Sequence, residues 1–477
     1  MEPLVLIAGA GPTGLTLALD LARRSLPVRI VERAPAHPRG SRGDGIQPRT
    51  LEVFDDLGVL DAVHAAGRPP APMRVFLDGE FVMERTMGDT VAPTPDVPYP
   101  NGWVLGQADT EAILRERLAE LGVAVELDTA LTTVEQDAGG VRATLVHGAD
   151  AEETVHAAYL IGADGGKSTV RRALGIPFEG STDESIRMLL GDVRADGLDH
   201  EHGYWFAAAD KPMAGIALSP LPGGRSFQFA APHSGTDEPT LTSLQRAVDT
   251  YAAGMDITLT ELSWATTWRP NIRLAQRFRD GRVLLAGDAA HAHPPTGGQG
   301  MNTGVQDAYN LGWKLAAALD GDEAPLATYE SERRTVAARV LGISSALLNK
   351  LVDGDEDAMR RGPETQQLDI SYRDPAERGP LVSGDRAPDA PLKDAAGRPI
   401  RLFDLFRGPH WTLLCFGEPA PLPTASDVHA YAVLRPGTTA EGSHVFDTDG
   451  HAFTAYAATP GREILIRPDG YLAYLAG

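Results

Sequence analysis

Residues 4–14, Leu-Val-Leu-Ile-Ala-Gly-Ala-Gly-Pro-Thr-Gly, decide how the first part of the chain folds. The apolar run 4–8 ends in glycines, the mark of a short buried strand. Residues 12–24 follow with Leu15, Leu19 and Ala22 on one helical stripe, and residues 28–32 form a second short apolar run. Strand, helix and strand make a βαβ unit, which opens a parallel sheet. Gly9, Gly11 and Gly14 carry the Gly-x-Gly-x-x-Gly spacing at the strand–helix turn, and Glu32 stands at the end of the second strand. That context makes the glycine pattern a dinucleotide fingerprint rather than a plain structural turn. Gly9 allows the tight turn, Gly11 lets backbone approach a pyrophosphate, and Gly14 lets helix and strand pack closely. The helix N-terminus then faces the phosphates. Glu32 can accept hydrogen bonds from a ribose diol. The fingerprint alone does not choose between NAD and FAD.

Further along, a helix is expected near 50–66, and Pro-rich sequence over 69–100 breaks regularity. Residues 110–121 read as an amphipathic helix, with Ile113, Leu114, Leu118 and Leu121 on one side. Strands follow near 123–127, 131–136, 141–147 and 154–161. From about 182 to 270 short runs divided by Pro and Gly indicate a mostly antiparallel sheet bearing Tyr204, Trp205, Phe206, Phe227 and Phe229. Residues 283–286 return to a buried strand, and residues 300–319 and 329–351 read as long helices. Residues 362–391 suit a linker, and the last part of the chain alternates strands and turns as a separate small domain.

Length and composition agree with several domains, since 477 residues at roughly 150 per domain give two to four. Apolar residues are 43% and charged residues 23%, enough for a large core. The formal net charge of −22 disfavours nucleic acid and anionic membranes as partners, because both would be repelled over the whole surface. One cysteine, Cys415, excludes an internal disulfide and a Cys-based zinc site, and suits a reducing cytoplasm. The start Met1-Glu2-Pro3 lacks the basic region of a signal peptide, and no run of about 18 apolar residues is present. The expectation is a soluble cytoplasmic protein.

Two further motifs narrow the reading. Gly287-Asp288-Ala289-Ala290-His291 follows a strand, with Pro294-Pro295-Thr296-Gly297-Gly298-Gln299-Gly300-Met301-Asn302 beyond it. An Asp at a strand end can bond a polyol, and a Gly-rich turn opening a helix offers free N–H groups to an electron-rich ring edge. Ribityl chain plus isoalloxazine matches that description. Gly162-Ala163-Asp164-Gly165-Gly166 also ends a strand, before a helix with Arg171 and Arg172. In this order the three motifs resemble the class A flavoprotein aromatic monooxygenases, the p-hydroxybenzoate hydroxylase family, over residues 1 to about 350. Segments similar to Ser41-Arg42, Arg49-Thr50-Leu51-Glu52 and Gly298-Gln299-Gly300-Met301-Asn302 point within it to the aromatic-polyketide and phenol hydroxylases. Gly384-Asp385-Arg386-Ala387-Pro388 and Ile466-Arg467-Pro468-Asp469-Gly470 resemble the edges of the thioredoxin-like domain those proteins carry. That domain would lack thiol redox chemistry here, having no Cys-x-x-Cys.

The resemblance implies a Rossmann-like α/β FAD-binding domain (1–75, 104–181 and 270–350) interleaved with an α+β antiparallel-sheet substrate domain (76–103 and 182–269). A linker (351–375) and a small thioredoxin-like α/β domain (376–477) follow. It implies that Gly9, Gly11, Pro12, Thr13 and Gly14 hold the pyrophosphate and Glu32 the adenosine ribose. Arg33 would lie by the adenosine, and Leu131 beside the adenine. Arg42 and Gln107 would reach the phosphate and ribityl region. For Arg42 and Arg49 the competing reading is a solvated surface charge. Asp288 would bind the ribityl or pyrophosphate region, and Pro295 would sit near the flavin C4a. Gly300, Met301 and Asn302 would bring backbone N–H groups to the pyrimidine ring, and Asp164 would support the flavin and nicotinamide docking.

The activity implied is hydroxylation of an aromatic polyketide or other polycyclic phenol with NADPH or NADH and O2, through a flavin C4a-hydroperoxide. Only one complete dinucleotide unit is visible, so the nicotinamide would visit transiently, and no side chain is assigned as catalytic because the cofactor carries the chemistry. Inactivation of a rifamycin- or tetracycline-type antibiotic is an alternative, as is a non-oxygenating flavin-binding partner in a biosynthetic complex. A homodimer is compatible with the sequence. His291 and His293 lack a third ligand, so loop histidines beside the flavin are preferred to a metal site. The middle-sheet aromatics are read first as core, with Tyr204 and Phe206 on one face and Trp205 on the other.

Overall fold

Strand Val5–Ala8 is buried on both faces in the centre of a six-stranded sheet. From edge to edge the strands are Arg279–Asp280, Val283–Leu285, Tyr159–Gly162, Val5–Ala8, Val28–Val31 and Val125–Glu126. Every pairing is parallel except the first, which is antiparallel. The central strands are unbroken apolar runs because helices cover both faces of such a sheet. Chain segments far apart thus bring the ends of residues 5–8, 159–162 and 283–285 side by side.

Helices Pro12–Arg23 and Gly300–Leu319 pack against each other through glycine. A Cβ on Gly304 would collide with Thr13 Oγ1, and one on Gly312 with the Asp20 carboxylate. Residue 304 lies opposite 13 and 312 opposite 20, so the two helices run parallel and their N-termini point the same way. Arg23 and Arg24 hold the buried Asp20 at 2.7 and 3.0 Å, which keeps its carboxyl below the usual range despite burial.

This computed structural model describes residues 5–149, 151–233, 238–294, 297–355, 360–417, 427–438 and 443–476. They fall into two units, one of Met1–Thr50, Asp61–Asp89 and Gly102–Thr365, the other of Leu51–Leu60, Thr90–Asn101 and Gln366–Gly477. The first unit also contains a seven-stranded sheet. Its order is Thr258–Trp268, Met188–Asp196, Ser226–Pro232, Lys211–Pro220, Gly203–Ala208, Met73–Leu77 and Glu80–Arg85, antiparallel throughout except where Gly203–Ala208 meets Met73–Leu77. Tyr204, Phe206, Phe227 and Phe229 form a core with helix Leu241–Tyr251 on one face. Trp205 lies on the other with Met73, Val75 and Ala207.

Three expectations differ in detail. The helix near 50–66 is two helices, Pro48–Asp56 and Leu60–Ala66, separated by Gly58 at φ +73°. The apolar run 154–161 is divided between Ala151–Ala157 and Tyr159–Gly162, which lie in different sheets. By length and hydropathy the helical stretch Ala324–Val352 could cross a membrane, although its apolar residues do not form one unbroken run. Arg333 on it is fully buried in an ion pair with Asp307, so that face packs inside the unit.

In the second unit a seven-stranded sheet runs Pro399–Arg401, Pro391–Asp394, His444–Phe446, Val428–Leu434, Trp411–Phe416, Glu463–Ile466 and Leu472–Ala476. The three central strands are parallel and the flanking pairs antiparallel. Residues 51–60 and 90–101 belong to this unit through specific bonds. Arg386 grips the buried Glu52 with Nε at 2.8 Å, Arg407 reaches Asp55 at 2.6 Å, and Arg401 donates to Pro95 O at 2.7 Å.

Candidate active site

The fingerprint turn is built by close packing on two sides and openness on the third. Gly9 sits at φ +102°, and a Cβ there would enter the Ala163 peptide, while one on Gly14 would strike Gly9 O. A Cβ on Gly11 would meet nothing within 4 Å. Pro12 opens the helix at its first position, where its missing N–H has no intrahelical use. Thr13 is the junction. Its Oγ1 lies 2.5 Å from where Gly287 would carry a Cβ, and a Cβ on Gly304 would collide with the same atom. The fingerprint helix, the Gly287–Ala289 turn and helix Gly300–Leu319 therefore meet at one side chain.

Around this junction lie most of the residues singled out from the sequence. The Glu32 carboxylate accepts the Ala10 and Ala34 N–H groups, both at 3.0 Å. Strand Thr129–Asp137 starts beside it, with Thr129 N–H bonded to Glu32 O at 2.9 Å, which brings the buried Leu131 to the same edge. Arg33 and Arg42 are exposed, whereas Arg49 is buried. Gln107 donates to Glu111 at 2.8 Å. Burial pushes the Glu111 carboxyl up, countered by Gln107, Arg115 and Arg42. Asp164 Oδ2 accepts Thr169 and Val170 N–H at 2.6 and 3.2 Å, capping helix Thr169–Ala173. Arg171 on that helix donates to Ala289 O and Gly166 O, both at 2.8 Å, and its guanidinium lies 3.8 Å from the Phe178 ring centre. It ties the 162–166 turn to the 287–289 turn.

Asp288 is exposed within its turn. Pro295, with Thr296, lies outside the described residues. Gly300, Met301 and Asn302 form the first turn of their helix, where N–H groups have no intrahelical acceptor. The Asn302 side chain is spoken for: it accepts Gln47 N–H and donates to Gly45 O and Gly298 O, each at 2.8 Å. His291 is fully buried and bonded to Asp307, and His293 Nδ1 lies 2.9 Å from Pro294 O.

Sequence reading missed the contribution of the seven-stranded sheet. Asp192, Gln228 and Trp264 are cross-strand neighbours on its Trp205-side face. Asp192 Oδ2 accepts Ser41 N–H at 2.7 Å, and Gln228 donates to Ser41 O at 2.8 Å, so the peptide before Arg42 is clamped on both sides. The Trp264 ring fills the space a Cβ on Gly40 would need. Burial pushes up the carboxyls of Asp109, Asp192 and Asp44, the last to about 6 with Asp192 as its like-charged neighbour. Two surface clefts of about 720 and 550 Å³ contain none of the residues assigned to the cofactor from the sequence, although Asp109 lines the second.

Residues 2–344 match the family model described as FAD binding domain. The chain is 42% identical over 485 residues to a flavin-dependent monooxygenase of Mycobacteroides abscessus, covering 99% of this chain and 96% of the relative. It is 35% identical over 510 residues to the 12-dehydrotetracycline 5-monooxygenase/anhydrotetracycline 6-monooxygenase of Streptomyces rimosus, covering 99% and 95%. A solved ternary complex of aklavinone-11 hydroxylase with FAD and aklavinone matches with a TM-score of 0.80 at 28% identity, covering 100% of this chain and 95% of that one.

Proposed function

The chain belongs to the FAD-binding-domain family and is a flavin-dependent monooxygenase, and we propose that it hydroxylates an aromatic polyketide or another polycyclic phenol, with electrons from NAD(P)H and oxygen from O2. The observation that supports the substrate class is the sheet face that packs on the segment leading to Arg42. Trp205, Ala217, Gln228, Asp192 and Trp264 share this face and bring two indole rings together with few polar groups, the chemistry that suits a flat fused-ring phenol.

FAD fits the residues present. Gly11 leaves open the space a phosphate needs, two parallel helix N-termini point one way, and Asp288 offers an exposed carboxylate at the turn between them. On this reading residues 9–14 hold the pyrophosphate by backbone N–H groups, and Glu32 accepts the adenosine ribose hydroxyls. Arg33 and Leu131 flank the adenosine, and Arg42 and Gln107 reach the phosphate and ribityl region. Asp288 bonds the ribityl chain, and Asp164 braces the turn beside it through helix Thr169–Ala173. When bound, FAD supplies the capacity to take electrons from NAD(P)H and to activate O2. The protein orients, excludes water and balances charge. The first-turn N–H groups of Gly300, Met301 and Asn302 offset negative charge on the ring, an effect worth about 1 kcal/mol or more when partly buried. The Ser41 clamp fixes the segment carrying Arg42 against this sheet face.

We also read the second unit as thioredoxin-like, supported by its parallel strand trio between antiparallel pairs, and the enzyme as cytoplasmic. We read the substrate portion of the first unit as starting at Met73, a reading supported by the pairing of Met73–Leu77 within the seven-stranded sheet. The test is incubation of FAD-loaded protein with a panel of aromatic polyketides and antibiotics, following coenzyme oxidation and product mass. Substrate-stimulated NAD(P)H oxidation with one oxygen atom added to a polyketide phenol is the expected result. Preference for a finished antibiotic would reassign the substrate, and absence of any stimulated oxidation would leave a flavin-binding partner. Size-exclusion chromatography with light scattering reports whether a homodimer forms.

A further inference from the structure

A buried charged group stands behind the Gly287–Ala289 turn. Asp307, seven residues into helix Gly300–Leu319, is fully buried and serves three donors. Its Oδ2 accepts Gly287 N–H at 3.0 Å and faces His291 Nε2 at 2.6 Å, while Oδ1 accepts Arg333 Nε–H at 2.6 Å. Arg333 and His291 are themselves fully buried, and Arg333 also donates to Thr303 O at 3.2 Å. The Arg333 guanidinium and the contact with His291 hold the Asp307 carboxyl below its usual range although burial alone would raise it. With the carboxylate charged, His291 carries its proton on Nε2, and its Nδ1 is buried with no hydrogen-bond partner. Upstream, Tyr329 Oη donates to Leu285 O at 2.8 Å, so the strand entering the turn is anchored to helix Tyr329–Val352 as well.

The Gly287 peptide sets where Asp288 points. Gly287 has φ +61°, and its N–H ends in the Asp307 carboxylate instead of a strand partner. We infer that Asp307 is a positioning residue of the FAD site, fixing the Gly287–Asp288 turn from behind through the Gly287 N–H while His291 and Arg333 aim its carboxylate. This rests on the FAD reading of the turn. The rival explanation is an ion pair that merely joins two helices. The same helices supply a control, because Lys314 is fully buried and bonds Glu332 at 2.7 Å without touching the turn.

An amide at position 307 keeps the shape but not the three acceptor contacts: whichever way it turns, its NH2 faces a donor. Apo-protein of wild type, Asp307→Asn, His291→Gln and Lys314→Met would each be titrated with FAD by flavin fluorescence, with the thermal midpoint measured alongside. Asp307→Asn should weaken FAD binding about tenfold or more, the usual scale for removing a group that orients a ligand's own contacts. His291→Gln, which leaves the Gly287 bond in place, should weaken it less and remains informative if Asp307→Asn does not fold. Lys314→Met should lower the thermal midpoint and leave FAD affinity unchanged. Wild-type affinity in both the 307 and 291 variants, or an equal loss in Lys314→Met, overturns the assignment to Asp307. A wild-type protein that takes up no FAD overturns the reading of the whole site and this inference with it.

Discussion

Replacing Gly304 by alanine tests the junction on which the cofactor turns depend. In a buried helix interior Gly→Ala should stabilise by about 1 kcal/mol through propensity alone. Here the added methyl would overlap Thr13 Oγ1 and stand 3.4 Å from the Gly287 Cα. Thr13 has little room to yield, because its branched Cβ restricts χ1 in a helix and Gly287 crowds the same Oγ1. Overpacking of this kind costs about 1–3 kcal/mol, so Gly304→Ala should be net destabilising by about 1 kcal/mol and should loosen FAD. Removing the obstacle reverses the sign. In a Thr13→Ala background the nearest remaining side-chain atom is the Cβ at 3.6 Å, an ordinary contact, and Gly304→Ala should then stabilise by the propensity gain. Denaturant unfolding of the four proteins, with FAD titration of each apo form, measures the cycle. If Gly304→Ala stabilises equally in both backgrounds, the packing of Thr13 against the two glycines is not what joins these elements.

Other perturbations follow from single groups. Asp288→Ala should purify without yellow colour, and unchanged FAD occupancy would show that its turn does not hold the cofactor. Asp44 has its carboxyl raised by burial from an ordinary 3.8 to about 6, so the folded protein loses stability as pH climbs through that window. The gap corresponds to at most about 3 kcal/mol, so Asp44→Asn should be more stable than wild type at pH 8 and equal to it below pH 4. Coincident unfolding curves at both pH values would refute this. Arg386→Met strands the buried Glu52 carboxylate and should destabilise by about 3–5 kcal/mol, most of it recovered in the Glu52→Gln/Arg386→Met double variant by chemical denaturation.

What the sequence revealed follows from how local each feature is. The fingerprint turn lies within six consecutive residues, and its strand and helix patterns adjoin it, so Gly9, Gly11 and Gly14 could be given roles before any coordinates. Helices 300–319 and 329–352 were legible for the same reason, as long periodic segments. The Ser41 clamp was not, because Asp192 and Gln228 come from strands more than a hundred residues away whose register no local pattern specifies. Asp307 gave no signal either: a lone carboxylate in a helix reads as a solvated face until the fold sets Arg333 and His291 against it. The run 154–161 reads as one strand because an apolar sequence does not mark where a chain leaves one sheet for another. Residues 90–101 looked like irregular Pro-rich coil, and their association with the second unit depends on arginines some three hundred residues later.

The charge of the chain sharpens the reading of the site. A protein with formal net charge −22 would seem a poor host for a diphosphate. Yet surface charges farther than about 10 Å are largely screened at ordinary salt, so only the local field decides. Residues 9–14 contain no carboxylate, and the fingerprint helix has none in its first turn. Nearby acids are restrained: Glu32 is held by two N–H groups, and burial pushes Glu111 toward its neutral form beside Arg42 and Arg115. Two parallel helix N-termini, each equivalent to roughly half a positive charge, then act on the same space. Their alignment depends on Gly304 and Gly312 admitting the fingerprint helix at contact distance. The attraction for an anionic cofactor is therefore produced by packing, and a substitution that separates the helices should weaken it without changing any formal charge.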